Sequence, residues 1–506
     1  MNQARIKTVL VACFTLGLAV GTALMLFGSR PLRAQDSLRF FQPGKLRVLI
    51  LSGRNNHDWR TTTPSLRKIL VDSGRFDVRV EEEPGGITAA TLAAYDVLVV
   101  DYQGPRWGEV TEKAVVDFVK QGKGLVGVHG ANYTFAGLDV LADGHQPTGL
   151  KQPPWTEYQQ MIGGWWTLGP PKSTHALRHV FTVKFVDRDH PITRGLAESF
   201  PTSDELYNNA QMSAQAHVLA RAFDDPANGG TGKDEPLMWT VNYGGGRVFY
   251  TALGHDLSAQ QEPGFVSTFA RGVEWAATGN VTLTAEGTLA HQLPAPLRLM
   301  VVTGGHEYAT TFYTVFEGAS DLHWSHAVSN HEAYRNDLRK DYDVLVLYDF
   351  SQDISEAEKT NLRNFAEAGK GIVVLHHAIA DYQNWEWWYK DVVGGKYLLN
   401  AEGSTPGSTY LHDQESTVRV VASHPITAHI GAMHLWDETY KGMWISPEVK
   451  VLLRSEAPTS DGPVAWVSPY LKSRVVYIQL GHGEAAHLYP AYRTLVQDAI
   501  RWAGGR

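Results

Sequence analysis

An α/β fold built twice along the chain is what the sequence predicts, and three observations lead there. Short continuous apolar runs such as Val97-Leu98-Val99-Val100 and Val344-Leu345-Val346-Leu347 have the character of strands buried on both faces. Helical patterns over residues 63–73 and 111–121 alternate with such runs, as in βαβ units around a parallel sheet. The same ordered motifs then return in the second half of the chain. Composition agrees: of 506 residues, 43% are hydrophobic and 11% aromatic, which supports two or three cores and excludes disorder or a coiled coil. The formal charge of −8 argues against a nucleic acid partner, whose phosphates demand a basic excess. The single cysteine, Cys13, precedes the globular part, so the body has no disulfide and no thiolate nucleophile or ligand.

The first copy opens on a strand over residues 47–51 followed by Gly53-Arg54-Asn55-Asn56-His57-Asp58-Trp59. The second opens on a strand over 298–302 followed by Gly304-Gly305-His306-Glu307-Tyr308. Tyr95-Asp96 before a buried strand recurs as Tyr342-Asp343. A helix stopped by glycine then feeds a strand ending in histidine, through Gly122-Lys123-Gly124 to His129 and through Gly369-Lys370-Gly371 to His376. His190-Pro191-Ile192-Thr193 matches His424-Pro425-Ile426-Thr427, and Asp204-Glu205-Leu206-Tyr207 matches Asp437-Glu438-Thr439-Tyr440. A further strand runs into Gly254-His255 or Gly481-His482, and each copy closes on a helix carrying Trp275 or Trp502. The copies are therefore placed at 45–284 and 297–506, joined by a small, Pro-containing linker over 285–296.

Ahead of both copies, Arg5 and Lys7 precede an apolar stretch over residues 9–27, followed by Ser29-Arg30-Pro31-Leu32-Arg33-Ala34-Gln35. That is the pattern of an export segment, and the body is expected to be periplasmic or extracellular. Residues 1–35 are either a signal peptide cleaved after Ala34 or a single anchor, since the stretch approaches the roughly 20 residues that span a bilayer. Membrane contact is expected through this segment alone.

Parallel sheets place ligand sites outside the carboxyl ends of their strands, where His57, His129 and His255 and their partners in the second copy all fall. With Glu205 they form a donor set suited to a divalent metal such as zinc. The same imidazoles equally suit acid/base catalysis near neutral pH. Asp204 and Glu205, and His376, Glu438 and His482 in the second copy, are the further candidates for catalysis. The Asp-Glu pair also suits a helix start, and each histidine taken singly suits a structural hydrogen bond. His190 and His424 read as turn residues, because His-Pro is a turn-forming dipeptide. Trp155, Trp165 and Trp166, answered by Trp385, Trp387 and Trp388, offer flat faces to a sugar or a stripe to the core. Gly229-Gly230-Thr231-Gly232-Lys233 lacks phosphate-loop spacing and reads as a hairpin-like loop, so no nucleotide cofactor is expected.

The ordered set His57-Asp58-Trp59-Arg60-Thr61-Thr62-Thr63-Pro64, Tyr102-Gln103-Gly104, Gly122-Lys123-Gly124, Val128-His129, Ile162-Gly163-Gly164, His190-Pro191-Ile192-Thr193, Asp204-Glu205-Leu206-Tyr207 and Gly254-His255-Asp256 resembles the ThuA-like (trehalose utilisation) family. The second copy looks like a more divergent member. The resemblance implies a class I glutamine amidotransferase-like fold, a flavodoxin-like three-layer sandwich in each copy. Amidotransferases place a cysteine on the turn after a strand, where this chain has His129 or His376, so the fold transfers and glutamine hydrolysis does not. The family's association with disaccharide and 3-keto-sugar metabolism implies a small carbohydrate substrate, with Trp59, Tyr102, Gln103, Trp165 and Trp166 as candidate contacts. The chain is thus expected to be an exported tandem protein acting on a sugar or 3-keto-sugar by metal-assisted hydrolysis or enolisation. The alternative is a carbohydrate-binding or scaffold protein without catalysis. Two departures stand out: the histidine pair His376-His377 is His129-Gly130 in the first copy, and Asp256 becomes Gly483 in the second.

Overall fold

Two nine-stranded sheets form the framework, one per copy, and their strand orders are the same. In this computed structural model, residues 41–137, 139–141, 147–284, 296–351 and 353–506 are described. The expected leader and residues 285–295 of the expected 285–296 linker lie outside them. A short unit ends at Lys45, and a compact unit spans Leu46–Arg506 with both copies in it. Among the described residues, no helix is long and apolar enough to cross a membrane.

The first copy contains β1 (Leu46–Leu51), α1 (Trp59–Asp72), β2 (Phe76–Glu81), β3 (Val97–Val100), α2 (Glu109–Lys120) and β4 (Gly124–Val128). It continues with β5 (His179–Phe185), β6 (Ser199–Asp204), β7 (His217–Phe223), β8 (Asp234–Tyr243), β9 (Gly246–Thr251) and α3 (Pro263–Thr278). The sheet order is β2-β1-β3-β4-β9-β8-β7-β5-β6. From β2 to β9 all pairings are parallel, in the 2-1-3-4-5 order of a flavodoxin-like sheet. From β9 to β6 all are antiparallel, so an antiparallel extension continues the flavodoxin-like parallel sheet in each copy. Every residue of β3 and β4 is buried, as strands covered by helices on both faces must be.

The second copy repeats the plan with β10 (Leu297–Val302), β11 (Leu322–Ala327), β12 (Val344–Leu347), α4 (Glu356–Glu367), β13 (Gly371–Leu375) and β14 (Thr409–Val420). It ends with β15 (Met433–Lys441), β16 (Lys450–Ser455), β17 (Pro463–Val467), β18 (Val475–Ile478) and α5 (Pro490–Ala503). Its order is β11-β10-β12-β13-β18-β17-β16-β14-β15. The copies meet where α1 packs against the helical turn Thr310–Phe316. There Arg67 pairs with Glu317, which Arg493 also reaches at 3.3 Å.

The repeated Tyr-Asp and Gly-Lys-Gly motifs clamp the amino ends of three parallel strands. Arg47 on β1 donates from Nε and Nη2 to the two oxygens of Asp96, which precedes β3, at 3.0 and 2.8 Å. Lys123, before β4, donates to the same carboxylate at 3.1 Å. Arg298, Asp343 and Lys370 repeat the arrangement. The glycines on either side have separate tasks. Gly122 adopts φ +105°, and a Cβ on Gly124 would lie 2.6 Å from the backbone of Ala276, so α3 could not close on β4. Gly371 stands in the same relation to Ala503.

Burial pushes the Asp96 carboxyl up, but hydrogen bonds from Arg47 and Lys123 outweigh it and hold its pKa down at about 2. Because the folded value lies below the unfolded one, this contribution is fully present above about pH 4 and fades as pH falls towards 2. Asp96→Asn is expected to lower stability at pH 7 by about 1–2 kcal/mol and to flatten the acid limb between pH 4 and 2, read by urea unfolding across pH.

Candidate functional site

The carboxyl end of β4 runs directly into a strained residue. His129 has φ +43°, and its counterpart His376, after β13, has φ +49°. The left-handed region costs a residue with a Cβ roughly 1–2 kcal/mol, so the surroundings must hold it there. One anchor is the Tyr250 hydroxyl on the neighbouring strand, which donates to the His129 carbonyl; Tyr477 does the same for His376 at 3.1 Å. The ring is anchored too. His129 Nδ1 lies 2.7 Å from the Ala252 carbonyl, which only accepts, so Nδ1 carries the proton and the neutral ring keeps its lone pair on Nε2. The Tyr207 hydroxyl lies 2.8 Å from that nitrogen.

The Asp-Glu-x-Tyr motif works as one device. Asp204, fully buried at the end of β6, accepts the backbone N–H groups of Gly254 (2.7 Å), His255 (3.2 Å) and Glu205 (2.8 Å). It thereby holds the turn that presents His255. Gly254 sits at φ +101° with no room for a Cβ, which would come 2.7 Å from Phe265. Burial raises the pKa of Asp204 above the usual carboxylate range, against the pull of those N–H groups. With its oxygens committed to the backbone, Asp204 is a positioning residue, which corrects its placement among the catalytic groups. Glu205, the next residue, turns into the cluster instead. Asp256 caps a short helix by accepting from Ala259 N at 2.8 Å, so its replacement by Gly483 removes a cap and no member of the cluster.

His57 completes the set. Asn55 Oδ1 accepts both the backbone N–H of His57 (3.1 Å) and its Nδ1 (2.9 Å), while Asn55 Nδ2 donates to Asp101 (3.1 Å). Asp101 is buried and is also bonded by Thr62 and Thr63. This chain orients the ring and leaves the lone pair on Nε2. One ligand atom from each of His57, His129, Glu205 and His255 lies within 4.8 Å of the others. Within the set, His129 Nε2 to His255 Nδ1 is 3.3 Å, His255 Nδ1 to Glu205 Oε2 is 3.2 Å, and His129 Nε2 to Glu205 Oε2 is 3.7 Å. Tetrahedral ligands on zinc at 2.0–2.1 Å stand about 3.3 Å apart, so this triangle already has the dimensions of a metal shell.

The electrostatics match. Burial would raise Glu205, but the His129 and His255 rings beside its carboxylate override it and hold the carboxyl well below the ordinary range. Burial likewise works against the charged form of His255, and the Glu205 carboxylate outweighs it and raises the pKa. Solvent reaches the cluster from one side: the His255 side chain is 26% exposed and that of His175, 3.5 Å from Glu205 Oε1, is 38% exposed.

In the second copy His376 Nδ1 lies 2.5 Å from the Gln479 carbonyl, and Tyr440, Glu438 and His482 surround its Nε2 at 3.0, 3.0 and 3.1 Å. Asp437 holds the Gly481 and His482 N–H groups at 2.8 and 2.9 Å, repeating the role of Asp204. His306 does not take the place of His57. It follows its strand by four residues where His57 follows by six, has no asparagine behind it, and stacks on His377 with ring centres 4.6 Å apart. His175 and His412, each paired with the outer oxygen of its glutamate, escaped sequence reasoning. Their one signal was recurrence ahead of the His-Pro-Ile-Thr motif.

The model of the trehalose utilisation family, ThuA, matches residues 47–276 and again 298–503. The chain belongs to the ThuA family. It is similar to a ThuA-like protein of known crystal structure from Parabacteroides merdae, at 29% identity over 47% of this chain and 92% of that one, with a TM-score of 0.41. A ThuA-like protein from Bacteroides uniformis is 17% identical over 48% of this chain and 96% of that one, with a TM-score of 0.36. A β-galactosidase from Bacillus circulans is matched over 46% of this chain and 31% of its own at 15% identity, with a TM-score of 0.31. No curated protein matches the chain.

In this tandem ThuA chain Trp166 is half-buried beside the cluster, with its ring 5.1 Å from Tyr207 and 6.2 Å from His175. Trp165 is half-buried and pairs through its backbone with Gln211. Tyr102 is a core residue, packed on Trp107 and Phe135 with its hydroxyl donating to the Pro105 carbonyl. Gln103 is buried as well, and Trp59, buried under the Arg60 guanidinium, lines a cavity of about 1100 Å³ between the copies. These three candidates are thus packed against neighbouring elements, and burial of that kind is not readable from residue type. Trp155 and Trp388 are core residues, while Trp387 lies under Arg363. His190 and His424 each accept a backbone N–H two residues on and pack against Trp275 or Trp502.

Asp204→Ala strands two buried N–H groups of the His255 turn and is expected to cost about 2–3 kcal/mol in urea unfolding. Tyr207→Phe removes one hydrogen bond without opening a cavity and is expected to cost about 1 kcal/mol in the same measurement.

Proposed function

We propose that the chain is an exported tandem protein that acts on a sugar or 3-keto-sugar at a metal centre formed by His57, His129, His255 and Glu205. The observation that carries this reading is the convergence of three imidazoles and one carboxylate from four separate segments within 4.8 Å of one another, three of the donors at metal-shell spacing, with two of the rings locked by their Nδ1 bonds. Membership of a family described by trehalose utilisation supports the substrate class. Trp166 beside the cluster supports it too, since its ring offers an apolar face to a pyranose. The basic and apolar leader supports export.

A divalent ion held there would supply Lewis acidity to a carbonyl or hydroxyl oxygen of the sugar. The chain's own groups handle the protons. Glu205 is kept ionised by its two histidines, and His175, reaching solvent beside Glu205 Oε1, is placed to pass a proton between the cleft and water. In enolisation the proton leaves the carbon beside the carbonyl; in hydrolysis it leaves the attacking water. Asp204 takes no part in this transfer, because its oxygens serve the backbone.

Purified chain is expected to carry divalent metal, and His129→Ala to carry less, as measured by elemental analysis. Trehalose and its 3-keto derivative, assayed with and without chelator, are expected to show chelator-sensitive turnover of at least one. Sugar binding that persists calorimetrically in a His129→Ala, His255→Ala double variant, with no turnover by the parent, would replace this reading with a carbohydrate-binding role.

A further inference from the structure

We propose that the second copy holds a divalent metal ion of its own, on His376, His482 and Glu438, with one protein ligand fewer than the centre of the first copy. The inference rests on the reading of the first copy as a metal centre and extends it to a copy whose aligned histidine, His306, has left the cluster.

Three observations carry it. The triangle of donor atoms is conserved in dimension: His376 Nε2 to His482 Nδ1 is 3.1 Å, His376 Nε2 to Glu438 Oε2 is 3.0 Å, and His482 Nδ1 to Glu438 Oε2 is 3.6 Å. The supports behind each donor are conserved as well. His376 Nδ1 is committed to a carbonyl, Asp437 fixes the His482 turn, and His412 Nδ1 lies 3.0 Å from Glu438 Oε1, which leaves Oε2 as the inward-facing oxygen. Such supports orient metal ligands, and a copy retained for packing alone has no need of all three. Finally, the missing fourth ligand goes with a crowded position. A Cβ built on Gly130 would lie 3.2 Å from the His57 ring, so a side chain there would press an inward histidine from the loop after the first strand to shift. His377 stands at the equivalent place, and His306 stacks on its outside. The exchange leaves a His2Glu set, and zinc sites with three protein ligands keep a position open for water or substrate.

The test uses the full chain, stripped with chelator and titrated with cobalt(II), whose tetrahedral complexes absorb in the visible. The parent is expected to bind two equivalents, His129→Ala one, His482→Ala one, and His306→Ala two. Far-UV circular dichroism checks that each variant is folded. Should His482→Ala fail to fold, Glu438→Gln is expected to weaken the second equivalent by roughly tenfold or more. Saturation of the parent at one equivalent, unchanged in His482→Ala or Glu438→Gln, would overturn the second site and leave the first intact. Absence of binding by the parent would overturn both readings together.

Discussion

In each copy a buried carboxylate accepts the N–H groups of a Gly-His turn, and the placement of the cluster follows from that contact. Asp204 binds Gly254 and His255, and Asp437 binds Gly481 and His482. The turn closes the strand that pairs in parallel with the one ending in His129 or His376, so the two histidines already share an edge. What the carboxylate adds is rotation: it fixes which way the second imidazole faces. The same segment delivers Glu205 or Glu438 one residue later and Tyr207 or Tyr440 two residues after that. A single backbone excursion thus supplies the clamp, the anionic donor and the hydroxyl partner of the first histidine. Because unsatisfied buried N–H groups cost more than a hydrogen bond contributes, the turn has few alternatives once the aspartate is in place.

The parallel half of each sheet was legible because its strands are short apolar runs separated by glycine-stopped helices. The antiparallel half was not. Strands such as Thr409–Val420, with the sequence TYLHDQESTVRV, are largely exposed and carry no apolar run for a reader to follow. The histidines at strand ends were legible for a topological reason, since α/β sheets gather ligands at that edge. The division of labour within Asp204-Glu205 was hidden by adjacency. Neighbouring residues in extended chain face opposite ways, so one of the pair had to turn from the cleft, but which one depends on where the Gly-His turn lies in space. His175 and His412 were hidden differently, because their spacing to other motifs differs between the copies while their contact with the glutamate is the same.

The two copies differ in a coupled way that packing explains. Above residue 130 a ring arriving from the loop after the first strand and a side chain rooted at that position would crowd each other, since a Cβ there would come 3.2 Å from His57. Gly130 admits His57, and the loop that brings His57 is long enough to include Asn55, which anchors it to Asp101. In the second copy the histidine comes two residues earlier in a loop of the same length, the asparagine is gone, and His377 stands beside His376. Each change makes sense of the others, whereas drift after loss of function would be free to alter them separately. Meanwhile the parts beneath, the strained histidine, its tyrosine anchors and the aspartate clamp, are the same in both copies. A duplicated frame has therefore kept the machinery that aims two imidazoles and a carboxylate at one point, and has varied only the group that approaches from the fourth side.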